Sequence, residues 1–211
     1  MDESILYDKL KNPSSYGFGV KSVKILQTHI SYVVLTGDYA YKIKKPVNFV
    51  FLDFSSLEKR KHFCEEEIRL NKRLCPEIYL GVIPITKKDQ SIEIDGSGEI
   101  IEYAVKMKEF SQENIMTKML QHGKIDEVTI DKIVDILIKF YKKGERSTDI
   151  DIFGSIDTIK SNTDENFEQT EFVINKTLSQ YIFNFIKQNT NKYLKSKRDI
   201  FIKRIENGFI K

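Results

Sequence analysis

Cysteine is scarce: the chain of 211 residues has two, Cys64 and Cys75. Both fall in or just after one predicted helix, about three turns apart, which is too far for a disulfide. No metal-ligand spacing joins them to His29, His62 or His122, so reduced thiols are expected. Long apolar runs are missing as well, and none approaches the ~20 residues that span a bilayer. The N-terminal "MDESILYDKL" is acidic and broken by charge, unlike a signal peptide. A cytoplasmic location and no membrane partner are the resulting expectations. An excess of one charge is also lacking: 34 lysines and arginines face 31 aspartates and glutamates. The net charge of +3 and pI near 8.6 fall short of a dedicated nucleic-acid binder. The lysine-dense "KIKKP" and "KYLKSKRDIFIKR" read as solvated faces, with no nucleic-acid partner. Internal repeats and long low-complexity tracts are absent.

What is present suits a globular protein. Hydrophobic residues make up 40% and charged residues 31%, with length enough for one sizeable domain or two small ones. "ILYDKLKNP" predicts a short helix stopped by Asn12-Pro13. "VKSVKILQTH", "SYVVLTGD" and "YAYKIKKPV" predict three strands with short turns, an antiparallel meander. Ser55 and Glu58 form a capping box for a helix from about Ser56 to Leu74, ended by Pro76. "IYLGVIPIT" and "SIEIDGSGEIIEYAVKM" predict three more strands, with Gly96-Ser97-Gly98 as a hairpin turn. After Met107 every periodic segment is helical. The expected architecture is α+β with two lobes: residues 1–108 as a sheet-rich lobe with one long helix, residues 109–211 as a helical lobe.

Two positions carry chemistry. Alternation along the third strand places Ala40, Lys42 and Lys44 on one face, and Tyr39, Tyr41, Ile43 and Lys45 on the other. A small alanine two residues before a lysine leaves room for a flat adenine ring, and the lysine then reaches that ligand's phosphates. Tyr39-Ala40-Tyr41-Lys42 is the protein-kinase lysine pattern, although a solvated strand lysine would read the same way. The following helix strengthens it. Phe63, Leu70 and Leu74 are expected to form its buried stripe, and Glu67 falls inside that stripe. A buried carboxylate needs a partner, and Lys42 is available, with Arg60 a rival. The turn Thr28-His29-Ile30-Ser31 lacks the glycines of a phosphate loop, yet its backbone N–H groups and the Thr28 and Ser31 hydroxyls are candidate phosphate contacts.

The block "THISYVVLTGDYAYKIKKPVNFVFLDFSSLEKRKHFCEEEIRLNKRLCPEIYLGVIPIT", with "EYAVKMKEF" and "DENFEQ" after it, resembles uncharacterised aminoglycoside-phosphotransferase-like proteins of the protein-kinase-like fold. Some members of that family carry a further P-loop kinase-like domain. The resemblance implies ATP as the nucleotide, Lys42 as its phosphate contact and Glu67 as the partner of Lys42. It implies an adenine-binding hinge around Lys106 to Glu109, including Met107. The implied reaction transfers the γ-phosphoryl group to a hydroxyl of a small-molecule acceptor, whose identity the sequence does not give.

The match has gaps. The family's catalytic His-Gly-Asp motif and its later metal-binding aspartate have no counterpart here. His122-Gly123-Lys124, Asp53-Phe54-Ser55 and Asp151-Ile152-Phe153-Gly154 are near misses in the wrong places. The closing "RDIFIKRIENGFIK" resembles the stretch that precedes the catalytic motif. The expectation is a chain cut before its chemistry, inactive alone, with Mg²⁺ bound only when the remaining part is present. Exposed apolar positions such as Ile182, Phe183, Phe185 and Ile186 would then favour association. A non-catalytic nucleotide-binding or scaffold module is the alternative.

Overall fold

The structure is a computed structural model that describes residues 3–49 and 51–211. Met1 and Asp2, the head of the acidic N-terminal stretch, lie outside them. Contacts divide the chain into two units, Met1–Ile136 and Leu137–Lys211.

The first unit is built on an antiparallel sheet. Its strands are β1 (Lys24–Gln27), β2 (Ser31–Leu35), β3 (Tyr39–Lys44), β6 (Tyr79–Lys88), β7 (Ser91–Ile94) and β8 (Glu99–Lys108), in the order β1-β2-β3-β8-β6-β7. The meander expected for the first three strands is present. A separate two-stranded pair, β4 (Asn48–Phe49) and β5 (Leu52–Asp53), occupies what the sequence leaves as linker. Helix α1 (Glu3–Leu10) and a 3-10 turn at Pro13–Tyr16 cover one face. There Leu6, Leu10 and Tyr16 pack with Tyr32, Val34, Tyr41, Ile43, Ile85 and Ile92. Apolar β-branched and aromatic residues on alternate positions supply that face, and their burial drives it against the helix.

Helix α2 (Leu57–Asn71) packs on β8 and β6. Its cap is Ser56, whose side chain accepts from the Lys59 N–H; Ser55 instead donates to Asp53 Oδ1 at 2.6 Å. The helix ends at Asn71, three residues before the expected Leu74. Its inward line also differs from the expected one. Arg60 and Cys64 are buried, whereas Leu70 and Leu74 are exposed. The line facing the sheet carries Arg60, Cys64 and Glu67, one above the other at helical spacing, while Leu74 lies past the helix end.

Gly96-Ser97-Gly98 is not a hairpin turn. The hairpin joins β6 to β7 through Asp89 and Gln90, and β6 lies between β7 and β8. The two glycines carry the chain across β6. A Cβ at Gly98 would overlap the Lys87 carbonyl oxygen, and one at Gly96 the Thr86 hydroxyl, so side chains are excluded there. Past β8 the described elements are helical: a 3-10 turn at Gln112–Asn114, then α3 (Met116–Gln121) and α4 (Glu127–Lys142).

The second unit contains the end of α4, then α5 (Thr148–Asp151), α6 (Ile156–Thr170), α7 (Gln180–Ser196) and α8 (Arg198–Glu206). Ser147, Ser155 and Ser179 cap α5, α6 and α7 by accepting a backbone N–H three residues on. Phe183 and Leu194 are its buried residues on α7, and the Phe183 ring meets Phe167 edge-on at 5.7 Å. Phe183 therefore points inward, contrary to expectation. Tyr181, Ile182, Phe185 and Ile186 are exposed. No helix of the described residues is long and apolar enough to cross a membrane.

Candidate functional site

The face of β3 opposite the aromatic core carries Ala40, Lys42 and Lys44, and α2 brings Glu67 to it. Lys42 Nζ lies 2.8 Å from Glu67 Oε1, and Lys44 Nζ lies 2.7 Å from Oε2. The Lys42–Glu67 pair read from the sequence is thus formed, and a second lysine, Lys44, shares the same carboxylate. Burial pushes the Glu67 carboxyl up, but the hydrogen bonds and charges of Lys42 and Lys44 outweigh it and hold the group below the usual carboxylate range. Three charged groups then sum to one net positive charge at a half-enclosed site. The nearby Cys64 thiol is pushed up to about 12 by burial, so it stays protonated. Burial first, and the Glu67 carboxylate second, raise the Tyr79 hydroxyl.

Arg60 is not a rival for Glu67. Its Nε donates to Glu102 Oε2 at 2.8 Å, and its Nη1 donates to the Phe54 carbonyl at 2.9 Å. Glu102 lies where the register slips between the pairs Ile85–Glu102 and Thr86–Ile100, a bulge of the kind that re-aims a side chain. Burial raises the Glu102 carboxyl, only partly offset by the Tyr103 N–H and Arg60. No sequence signal marks this second pair, because a bulge has no period. Lys44 could have been found, since it sits two residues from Lys42 on one face.

Register places Leu35 and Met107 directly beside Ala40, one on each neighbouring strand. Directly opposed residues share a face, so an apolar strip adjoins Lys42. The segment Lys106 to Glu109 differs from a free hinge. Lys106 and Met107 are held between β3 and β6, and the N–H groups of Lys108 and Glu109 donate to Ile78 O at 2.8 Å and Asp38 O at 3.0 Å. The N–H groups of Lys108 and Glu109 are thus engaged within the protein. The Glu109 carboxylate accepts from Thr36 N–H and Gly37 N–H at 2.9 and 2.8 Å, tying it to the β2–β3 turn.

Thr28 and Ser31 bracket the β1–β2 turn, Ser31 directly opposite Lys44 at the end of β3. The Thr28 hydroxyl closes the turn on itself, accepting from Ser31 N–H at 2.9 Å and donating to Ser31 O at 3.1 Å. The Ser31 hydroxyl is buried. The Thr28 hydroxyl is thus engaged within its own turn, and the Ser31 hydroxyl is enclosed. "KIKKP" is not a solvated face either. Lys44 and Lys45 are buried, the first on Glu67 and the second with its ammonium 4.6 Å from the Tyr32 ring centre.

The near-miss motifs each have local structural work. Asp53 accepts from Ser55 N–H at 2.9 Å ahead of α2, and Lys59 first, then Ser55, hold its carboxyl well below the usual range. His122-Gly123 ends α3, with Gly123 at φ 65°. Gly154 lies against Ile210. Among the described residues no group of three His, Cys, Asp or Glu side chains gathers as a metal cluster.

No protein-family model matches the chain, and no solved structure matches it. Sequence similarity does reach curated proteins. An uncharacterised protein of Mycobacterium tuberculosis and one of Mycobacterium bovis are each 29% identical to this chain over 188 residues, 89% of its length. The chain spans 36% of the length of these relatives.

Proposed function

We propose that the first unit is the nucleotide-holding lobe of a protein-kinase-like fold, and that the chain belongs to an ATP-dependent small-molecule phosphotransferase of the aminoglycoside-phosphotransferase-like kind. One observation carries this reading: a lysine on the third strand and a glutamate on the long helix that follows meet at 2.8 Å. In kinases that ion pair, between those two elements, aims the lysine at the nucleotide phosphates. The strip of Leu35, Ala40 and Met107 is apolar, the character a flat base requires, and Lys42 adjoins it. An ammonium has three donors, and Glu67 takes one from Lys42, leaving two for phosphate oxygens. In the proposed reaction the acceptor hydroxyl oxygen bonds the γ-phosphorus as the bond to the β-bridging oxygen breaks. ADP leaves and the hydroxyl proton passes to a base. Glu67 does not suit Mg²⁺, because both its oxygens are committed to lysines.

Calorimetric titration of the 211-residue chain with ATP, with and without Mg²⁺, tests the reading. Binding is expected, and Lys42→Ala is expected to weaken it about tenfold, the worth of one charge-assisted hydrogen bond. A folded chain that binds no ATP overturns it. The second reading, a non-catalytic nucleotide-binding or scaffold module, is favoured by Lys44: with Lys42 it takes up both oxygens of Glu67, an ion triad of the kind that also serves a purely structural role. ATP binding with no ADP formed by the whole protein selects that reading.

A further inference from the structure

Lys44 contacts no nucleotide in the proposed reading, yet it bonds Glu67 as closely as Lys42 does, at 2.7 Å and 2.8 Å. The two lysines differ in access. The Lys44 side chain is 6% exposed and that of Lys42 is 30% exposed. The Lys44 ammonium lies 4.9 Å from the Phe54 ring centre, which encloses it further. Across the register it faces Ser31, a fully enclosed residue. Lys44 is therefore closed off from any ligand that Lys42 can reach. Tyr79 and Cys64, which both feel the Glu67 charge, are neutral near pH 7. The carboxylate is held by the two lysines, one on each oxygen.

We propose that Lys44 is a positioning residue: by pinning Oε2 of Glu67 it fixes the carboxylate, so that Oε1 holds Lys42 ready for a nucleotide phosphate before any nucleotide arrives. Only the last clause rests on the nucleotide reading; the pinning of Lys42 does not. With one lysine alone, the carboxylate could turn about its terminal bond and swing Lys42 with it. A second cation on the far oxygen removes that freedom. It also leaves the triad with a net positive charge, where Lys42 and Glu67 alone would be neutral towards an anion. Access divides the work, with Lys42 on the ligand and Lys44 on the carboxylate.

Nitrogen NMR of the lysine ammonium groups tests this directly, since ion pairing slows their proton exchange. In the unaltered chain both Lys42 and Lys44 are expected to exchange slowly. In Lys44→Met the Lys42 protons are expected to exchange about tenfold faster, the factor carried by one charge-assisted hydrogen bond, with a matching loss of ATP affinity. Lys44→Arg keeps the cation and is expected to restore both. Unchanged Lys42 exchange in a folded Lys44→Met chain would overturn the proposal. So would a Lys44 ammonium that exchanges as fast as an exposed lysine in the unaltered chain, a measurement that needs no variant to fold. Faster Lys42 exchange in a chain that never binds ATP would support the pinning and remove the nucleotide reading.

Discussion

At the scale of the residue, two inward-facing carboxylates, the half-buried Glu67 and the buried Glu102, are treated in opposite ways. Glu67 has two lysines and is held below the usual range, while Glu102 has one arginine and is pushed above it. Glu67→Ala leaves Lys44 enclosed without a counter-charge, and the expected loss is roughly 3–5 kcal/mol by urea unfolding, the usual cost of breaking a buried pair. Glu67→Gln, which still accepts hydrogen bonds, is expected to cost less. The pH dependence follows from the sign. Glu67 is depressed in the folded state, so its contribution is full above the ordinary value of 4.5 and is lost as pH falls through its folded value. Glu102 is raised, so its contribution is present below 4.5 and declines as pH rises through its folded value. Removing the Glu67 charge should therefore flatten the acid limb of the stability curve.

At the scale of the element, the crossing between β7 and β8 leaves no room for a side chain at either of its glycines. Gly98→Ala would drive a methyl group into the Lys87 carbonyl of a central strand, and is expected to cost about 2 kcal/mol or more. Gly123 has φ 65° and open space around it, so Gly123→Ala meets only the left-handed penalty of roughly 1–2 kcal/mol. Thermal unfolding of the two variants separates steric from conformational cost; equal losses would contradict the crossing described here. Elements with a strong period were legible: the three-strand meander, α2 and the helices after β8. The parts that were not legible depend on partners far along the chain. A glycine pair reads as a hairpin until the strand it crosses is known. Leu70 and Leu74 read as core until it is known which line of α2 faces the sheet.

At the scale of the whole molecule, the chain is α+β, with its described strands all in the first unit. In the second unit Tyr181, Ile182, Phe185 and Ile186 expose apolar surface along α7. Clustered exposed apolar side chains favour association in water. Sedimentation velocity at rising concentration is expected to show self-association, relieved in the double variant Ile182→Glu, Phe185→Glu. Unchanged sedimentation in that variant would assign any association to other surfaces.

The sequence by itself determined which residues alternate on β3, that Lys42 and Ala40 share a face, and that Glu67 needs a partner. These follow from periods of two and 3.6 residues, which are local properties of the chain. Only the tertiary structure decided that Lys44 takes the second oxygen of Glu67 and that Arg60 goes to Glu102. It also decided that Thr28 spends its hydroxyl inside its own turn, and that the segment after Met107 has its N–H groups engaged. Which polar group pairs with which is settled by packing, because burial makes every unpaired charge costly and many assignments satisfy the same local pattern.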